Sequence, residues 1–422
     1  MRATETMMGA LVSHPTGNAN VRAALRGLHR ANLLQEFHTT LAVPHSCLTT
    51  PLLTGTTTKQ LRRRYFPEAP WHRTKIHPWP ELLRQIAPSL GLSALTRSEA
   101  SAASVDSVYR QLDREVATRI IRNSTDFSCV YSYEDGAFSS FAAAKKSNIT
   151  CFYELPIAHW RTLDSLLREE SELWPEWAAT LAGIDDSEQK RDRKDAEIMA
   201  ADKVIVPSSF VKKSVVNAFP EKEQSITVVP FGCPKPALKQ PLQRVPDQPL
   251  RVLFAGQLTQ RKGLAYLAAA LDKIEVDWHL SVAGPKPPLQ SNGLEELLSR
   301  RQCSWLGRIP HDQLLAEMAK AHVFVFPSIV EGFALVIPEA MSCGLPIITT
   351  PNSGADILTE GRDGFVVPIR DPDALADRIT RLADDETLRL EMSANALRTA
   401  ATSPWSVYED RVATLVSGDI SR

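Results

Sequence analysis

Residues 323–350 read VFVFPSIVEGFALVIPEAMSCGLPIITT. The run from Val323 to Phe326 is apolar at every position and bounded by Pro327 and Ser328, the pattern of a strand buried on both faces of a parallel sheet. A turn carrying Glu331 and Gly332 follows. Pro338, Glu339, Ala340 and Met341 then predict the first turn of a helix, with proline well placed near its start. Gly344 and Pro346 stop that helix, and Ile347 to Thr350 predicts the next strand. The unit is therefore strand, loop, helix, strand, with one carboxylate in the loop and another at the helix start. Backbone N–H groups around Leu335, Val336 and Ile337 precede the helix and have no acceptor inside it. Such a start attracts phosphate by roughly 0.3–1 kcal/mol when exposed. A carboxylate beside a phosphate site repels it, so Glu331 and Glu339 are expected to turn toward hydroxyl groups. A ligand with an anionic middle and a polyol at either end, such as a nucleotide sugar, has the matching shape.

The string EGFALVIPE, residues 331–339, resembles the E-x7-E signature of retaining glycosyltransferases with the GT-B fold, in particular glycosyltransferase family 4. The usual family form is E-G-F-G-L-x-x-x-E-A-M-A-C-G-x-P-V; here Ala334 replaces the second glycine and Ser342 an alanine. The resemblance implies that Glu331 contacts hydroxyls of the transferred sugar, that Glu339 contacts the ribose, and that amides at Val336 and Ile337 meet phosphate. The loop GQLTQRKG, Gly256 to Gly263, resembles the family's G-R-L-x-x-x-K-G. Lys262 matches the lysine that neutralises the donor diphosphate, a role that follows from the extra charge on the departing group. Gln257 stands at the family's arginine position; either Arg261, next to Lys262, replaces that charge or the site runs on one cation. Arg308 and Ile309 fall where the family contacts the nucleoside. No acidic metal motif such as D-x-D is evident in these loops, so the resemblance implies a metal-independent reaction with no cofactor, in which side chains supply the positive charge.

Around that core the second half reads as a βαβ series. Strands are expected at Arg251–Ala255, Trp278–Gly284 and Cys303–Gly307, and helices at Leu264–Ile274, His311–Ala321, Asp371–Asp384, Glu386–Ala400 and Trp405–Val416; residues after Gly284 read as a loop. Gly232 to Gln248 holds four prolines and no apolar periodicity, which marks a domain boundary.

The first half is a similar alternation. Gly9 to Ser13 is a strand, and Thr16-Gly17-Asn18 a tight turn before a helix whose apolar positions are Val21, Ala24, Leu25 and Leu28. The resemblance turns this loop, and Gly17 in it, toward the donor diphosphate. Further strands are expected at Glu36–Val43, Ser128–Tyr133, Ile149–Leu155, Lys203–Pro207 and Ile226–Phe231. Glu154 and His159 lie just beyond one of them, where open α/β sheets bind ligands; family members often carry a histidine there, and either residue is a candidate for the sugar or acceptor. Ser208-Ser209 reads as a helix cap without chemistry. Residues 54–80 break the pattern. Lys59, Arg62, Arg63, Arg64, Arg73 and Lys75 alternate with Tyr65, Phe66, Trp71 and Trp79, against the single acid Glu68. This stretch is either a basic, aromatic surface for an anionic acceptor or lipid headgroups through residues 59–75, or a solvated connection over packed aromatics.

The 422 residues suffice for two domains; 43% hydrophobic and 23% charged residues are ordinary for a globular chain, and a net charge of −1 argues against a nucleic-acid binder. Six scattered cysteines without a CxxC pair predict buried thiols in a reducing compartment. The start lacks a secretory pattern and no long apolar run is present, so a cytoplasmic location, with peripheral membrane contact as the open alternative, is expected. The reading is an α/β chain of GT-B type, two Rossmann-like domains facing each other across a cleft. Residues 1–232 bind the acceptor, 233–249 link, 250–403 bind the nucleotide sugar, and 404–422 form a helix packing back on the first domain. The expected activity is retaining transfer of a sugar to a hydroxyl of a glycan, lipid or small molecule. A non-catalytic scaffold and a GT-B epimerase or phosphorylase are the competing functions.

Overall fold

The computed structural model describes residues 9–42, 71–181, 186–237, 242–245 and 248–420. Lys59, the arginines at 62–64, Tyr65, Phe66 and Glu68 lie outside these residues, as does Cys47.

Two parallel sheets organise the chain. The first comprises β1 (Gly9–Ser13), β2 (Leu34–Thr39), β3 (Thr74–Ile76), β4 (Phe127–Tyr133), β5 (Thr150–Glu154), β6 (Lys203–Val206) and β7 (Ile226–Val228), in the order β3-β2-β1-β4-β5-β6-β7. The second comprises β8 (Leu250–Ala255), β9 (Trp278–Ala283), β10 (Cys303–Gly307), β11 (Val323–Phe326), β12 (Ile347–Thr349) and β13 (Gly364–Val366), in the order β10-β9-β8-β11-β12-β13. β11 pairs in register with β8 (Val323 with Val252) and with β12 (Phe324 with Ile347), and all four of its residues are buried. That burial on both faces is why its sequence is unbroken by a polar residue. In each sheet the strand order reverses beside the first strand, at β1/β4 and at β8/β11, the crevice where such sheets take ligands.

The structure differs from the sequence reading at several elements. β2 ends at Thr39 rather than at residue 43, and β3 forms within the stretch where the pattern loosens. After β5 the chain forms two helices, Trp160–Leu173 and Pro175–Ala178, because a proline at the first position of the second starts a new helix. The loop expected after Gly284 contains the helix Asn292–Ser299, capped by the Ser291 hydroxyl, which accepts from the Leu294 N–H at 3.3 Å. The charge-rich stretch that follows forms the helix Glu188–Ala200, whose N-cap is Ser187.

Two elements cross between the sheets. The helix Trp405–Ile420 packs on the helix Ala19–Arg30, where Glu409 accepts from Arg26 Nε at 2.7 Å and Arg30 Nη1 at 2.8 Å. A Cβ at Gly27 would overlap the Glu409 backbone, so that residue sets the approach of the two helices. In the opposite direction Trp177, from the first half of the chain, is buried in the core of the second sheet, against Gly293. Among the described residues no helix is long and apolar enough to cross a membrane.

Candidate functional site

At the carboxyl ends of β8, β9, β10 and β11 four loops enclose a pocket of about 850 Å³. Gln257, Arg261 and Lys262 come from the loop after β8, Gly284 and Pro285 from that after β9, Arg308 and Ile309 from that after β10, and Glu331, Leu335, Val336 and Glu339 from the segment after β11. Parallel strands bring these loops to one edge, although up to 82 positions separate Gln257 from Glu339 (339 − 257).

The cations of the site face a carboxylate. Lys262 Nζ is in direct contact with Glu331 Oε1, and Arg261 Nη2 lies 3.2 Å from each Glu331 oxygen. Burial, and then the neighbouring Arg261 charge, push the Lys262 ammonium well below its ordinary range; burial also lowers Arg261. Glu331 supplies the opposing charge. Two sets of hydrogen bonds fix this cluster. The Arg261 carbonyl accepts from Ile329 N at 2.9 Å and from Ser328 Oγ at 3.0 Å, which joins the β8 and β11 loops. Gln260, fully buried, donates from Nε2 to Glu170 at 2.9 Å and accepts from Ala265 N at 2.9 Å, while its own N–H donates to Thr180 Oγ1 at 2.8 Å. Glu170 also accepts from Arg370 Nε at 2.5 Å and from Tyr266. The loop that bears Lys262 is thus braced by the helix pair Trp160–Ala178 from the first half of the chain.

Glu339 lies across the pocket with Oε1 3.0 Å from His311 Nε2; burial raises its carboxyl above the usual range and His311 opposes that shift. The helix begins at Val336, two residues earlier than the proline suggests, with Leu335 as N-cap. This moves the open amides. Ile337 N donates to the Ala334 carbonyl at 2.9 Å and its side chain is buried, so Ile337 does not face the pocket. Among the described residues the N–H groups of Leu335 and Val336 have no acceptor.

Three further sequence candidates lie elsewhere. Gly17 adopts φ +67°, the left-handed conformation that favours glycine, and its N–H donates to His14 Nδ1 at 2.9 Å at the end of β1, outside the pocket lining. His159 is buried as the N-cap of the helix Trp160–Leu173, with Nε2 2.9 Å from Asp195 and its ring against Phe219; burial lowers its pKa. Glu154 is buried and accepts from Asn20 at 2.8 Å, Tyr131 at 2.5 Å and Tyr408 at 3.0 Å, which ties the C-terminal helix to the first sheet; burial raises its pKa. Both side chains are occupied in packing because their donors and acceptors already have partners within the protein. Ser208 does more than cap: its hydroxyl accepts from Val211 N at 3.3 Å and donates to the Gly332 carbonyl at 2.7 Å, across to the second domain.

Comparison with solved structures matches nearly the whole chain. Sucrose-phosphate synthase from Thermosynechococcus elongatus superposes with a TM-score of 0.63 at 19% identity, covering 97% of this chain and 98% of the other. HepE of Anabaena, solved in complex with UDP, gives 0.63 at 16% identity, covering 97% and 100%. The fold is GT-B. Residues 249–385, which include the sheet that carries the pocket, match the family model described as Glycosyl transferases group 1. Among curated proteins, D-inositol 3-phosphate glycosyltransferase of Corynebacterium glutamicum (strain R) is 31% identical over 182 residues, 40% of this chain and 44% of that one. Sulfoquinovosyl transferase SQD2 of Arabidopsis thaliana is 28% identical over 194 residues, 43% and 37% respectively. The matches span less than two thirds of these relatives' length.

Proposed function

We propose that this GT-B protein is a metal-independent retaining glycosyltransferase of family 4 type, moving a sugar from a nucleotide-sugar donor to a hydroxyl acceptor. The observation that carries the reading is the convergence of Lys262, Arg261, the Leu335 and Val336 amides, Glu331 and Glu339 on one pocket. Cations and open amides in one pocket suit a diphosphate, and the two carboxylates beside them suit hydroxyl groups. On binding, the diphosphate takes over Lys262 and Arg261, and Glu331 is released to the sugar hydroxyls. Glu339, steadied by His311, holds the ribose, with Arg308 and Gln257 toward the nucleoside and phosphates. The acceptor hydroxyl then attacks the anomeric carbon from the face the diphosphate leaves. The anomeric C–O bond to phosphate breaks, and the departing phosphate oxygen takes the acceptor proton, so no protein nucleophile is needed. Residues 1–232 serve as the acceptor domain, 250–403 as the donor domain, 233–249 as the linker, and 404–422 as the returning helix.

The test is a panel of nucleotide sugars screened for thermal stabilisation of the purified protein, followed by release of nucleoside diphosphate from the best donor. Lys262→Ala lowers that release by about a hundredfold, the scale for removing one charge-stabilising group from a preorganised site. An unchanged rate in the folded variant ends the proposal.

A further inference from the structure

The helix Trp79–Ile86 and the residues around it carry an apolar face that the first sheet does not cover. Trp79, Leu83 and Ile86 fall at helical spacing and are exposed, Trp79 at 79%. Leu90 and Leu92 continue the face, and Trp71 and Ile76 precede it, all exposed. Seven large apolar side chains in 22 residues (71 to 92) form a contiguous stretch of sequence, far from the scattered single exposures ordinary on a protein surface.

The charge within this stretch of sequence is mainly basic. Between Trp71 and Ser98 the cations are Arg73, Lys75, Arg84 and Arg97, and the sole carboxylate is Glu81. Glu81 is buried and bound by Arg84 at 2.7 Å and Gln85 at 2.8 Å, so it presents no negative charge outward. Glu99, just beyond, is half-buried and accepts from the Ser187 N–H at 3.1 Å. Lys75 and Arg97 are exposed. Tryptophan with leucine and isoleucine on one side, with the exposed Lys75 and Arg97 beside them and one exposed acid near by, Glu115 at 4.0 Å from His77, is the composition of a helix that lies in the headgroup layer of an anionic bilayer.

Position in the fold adds a second argument. β3 runs parallel to β2 and β1, so its carboxyl end lies at the same sheet edge as theirs, the edge that faces the cleft. Trp79 follows the last residue of β3 by three positions (79 − 76). The face is therefore at the rim of the cleft, not on the far side of the domain.

We propose that the Trp79–Ile86 helix, with Trp71, Ile76, Leu90 and Leu92, is a docking surface for an anionic lipid bilayer. The apolar side chains enter the headgroup layer, Lys75 and Arg97 meet lipid phosphates, and the cleft opens beside the membrane. This inference does not rest on the glycosyltransferase reading, because its test contains no donor.

The test is sedimentation of the full chain with vesicles of phosphatidylcholine alone and of phosphatidylcholine in which one third is phosphatidylglycerol. Binding about tenfold tighter to the anionic vesicles, weakened by salt, is expected. The double variant W79E/L83E loses that binding by about tenfold or more and keeps its melting temperature, since both side chains are exposed. Absence of binding to the anionic vesicles overturns the proposal. Equal binding by the double variant overturns it as well, and so does self-association of the wild-type chain that disappears in the double variant, which assigns the face to a second copy.

Discussion

Glu331 is held between Lys262 and Arg261, and in the proposed reaction a diphosphate has to take both cations from that carboxylate. Glu331→Gln removes the competitor and leaves two buried cations looking for an anion. Calorimetry should therefore show the variant binding nucleoside diphosphate more tightly, by about tenfold, or roughly 1.4 kcal/mol. Sugar transfer moves the opposite way and drops by about a hundredfold or more, because hydrogen bonds to the sugar hydroxyls that strengthen in the transition state are lost with the carboxylate. Weaker diphosphate binding together with lost transfer would mean that Glu331 organises the loop instead of opposing the donor. The roles of Lys262 and Glu331 were suggested by a local string of residues, but their mutual contact was not. Nothing in sequence spacing indicates that residues 69 positions apart share one ion pair.

At the scale of elements, the seam between β8 and β11 contains a buried titratable group. His322 stands directly before β11, with Nδ1 accepting the Arg251 N–H at 3.0 Å and Nε2 3.0 Å from the Arg251 guanidinium. Burial first, and then the charges of Arg251, Arg389 and Arg244, lower its pKa to about 3 from an ordinary 6.5. Above the ordinary value the ring is neutral in both the folded and unfolded chain, and its full contribution to stability is present. As pH falls from about 6.5 toward about 3 the unfolded chain takes a proton that the folded one refuses, so stability is lost across that window, by at most about 1.4 kcal/mol per pH unit. Denaturant titrations at pH 7 and pH 5 should show this loss in the wild type and a smaller one in His322→Gln. Parallel slopes in the two proteins would rule the group out. The strands on either side of this seam were legible from apolar runs alone. The helix Asn292–Ser299 was not, because its buried residues, Gly293, Leu294 and Leu297, are too few to stand out as a periodic pattern.

At the scale of the whole molecule, the two GT-B domains touch through backbone at Gly332. A Cβ there would overlap the Pro156 carbonyl, and the Gly332 carbonyl accepts from Ser208 Oγ at 2.7 Å. Ser209 N donates to Asp356 Oδ1 at 2.9 Å close by, and Phe231 meets Phe333 edge to face at 5.3 Å between ring centroids. Gly332→Ala therefore pushes the first domain away from the loop that carries Glu331, and on the proposed reading it disturbs the meeting of the domains more than donor binding. Its kcat should fall by about tenfold or more while KM for the donor changes little, since a misplacement on the order of 1 Å is enough to disturb reacting groups. Equal losses in donor affinity and kcat would show that the contact shapes the pocket and not the meeting of the domains. The sequence offered the glycine as part of a signature and held no hint of what it touches.

The amino-acid sequence by itself determined the alternation of strands and helices, the proline-rich break between the two sheets, and the loop residues that carry charge at the strand ends, because apolar period, turn chemistry and caps are local properties of the chain. Tertiary structure alone decided which of those residues meet. It placed Gln257, Arg261, Lys262, Arg308, Glu331, Leu335, Val336 and Glu339 around one pocket and turned Ile337 inward. It also committed His159 and Glu154 to packing, and brought His311 to Glu339 and Glu170 to the loop of Lys262. Those outcomes depend on strand order and on the docking of one domain against the other, in which residues far apart in sequence compete for the same hydrogen-bond partners.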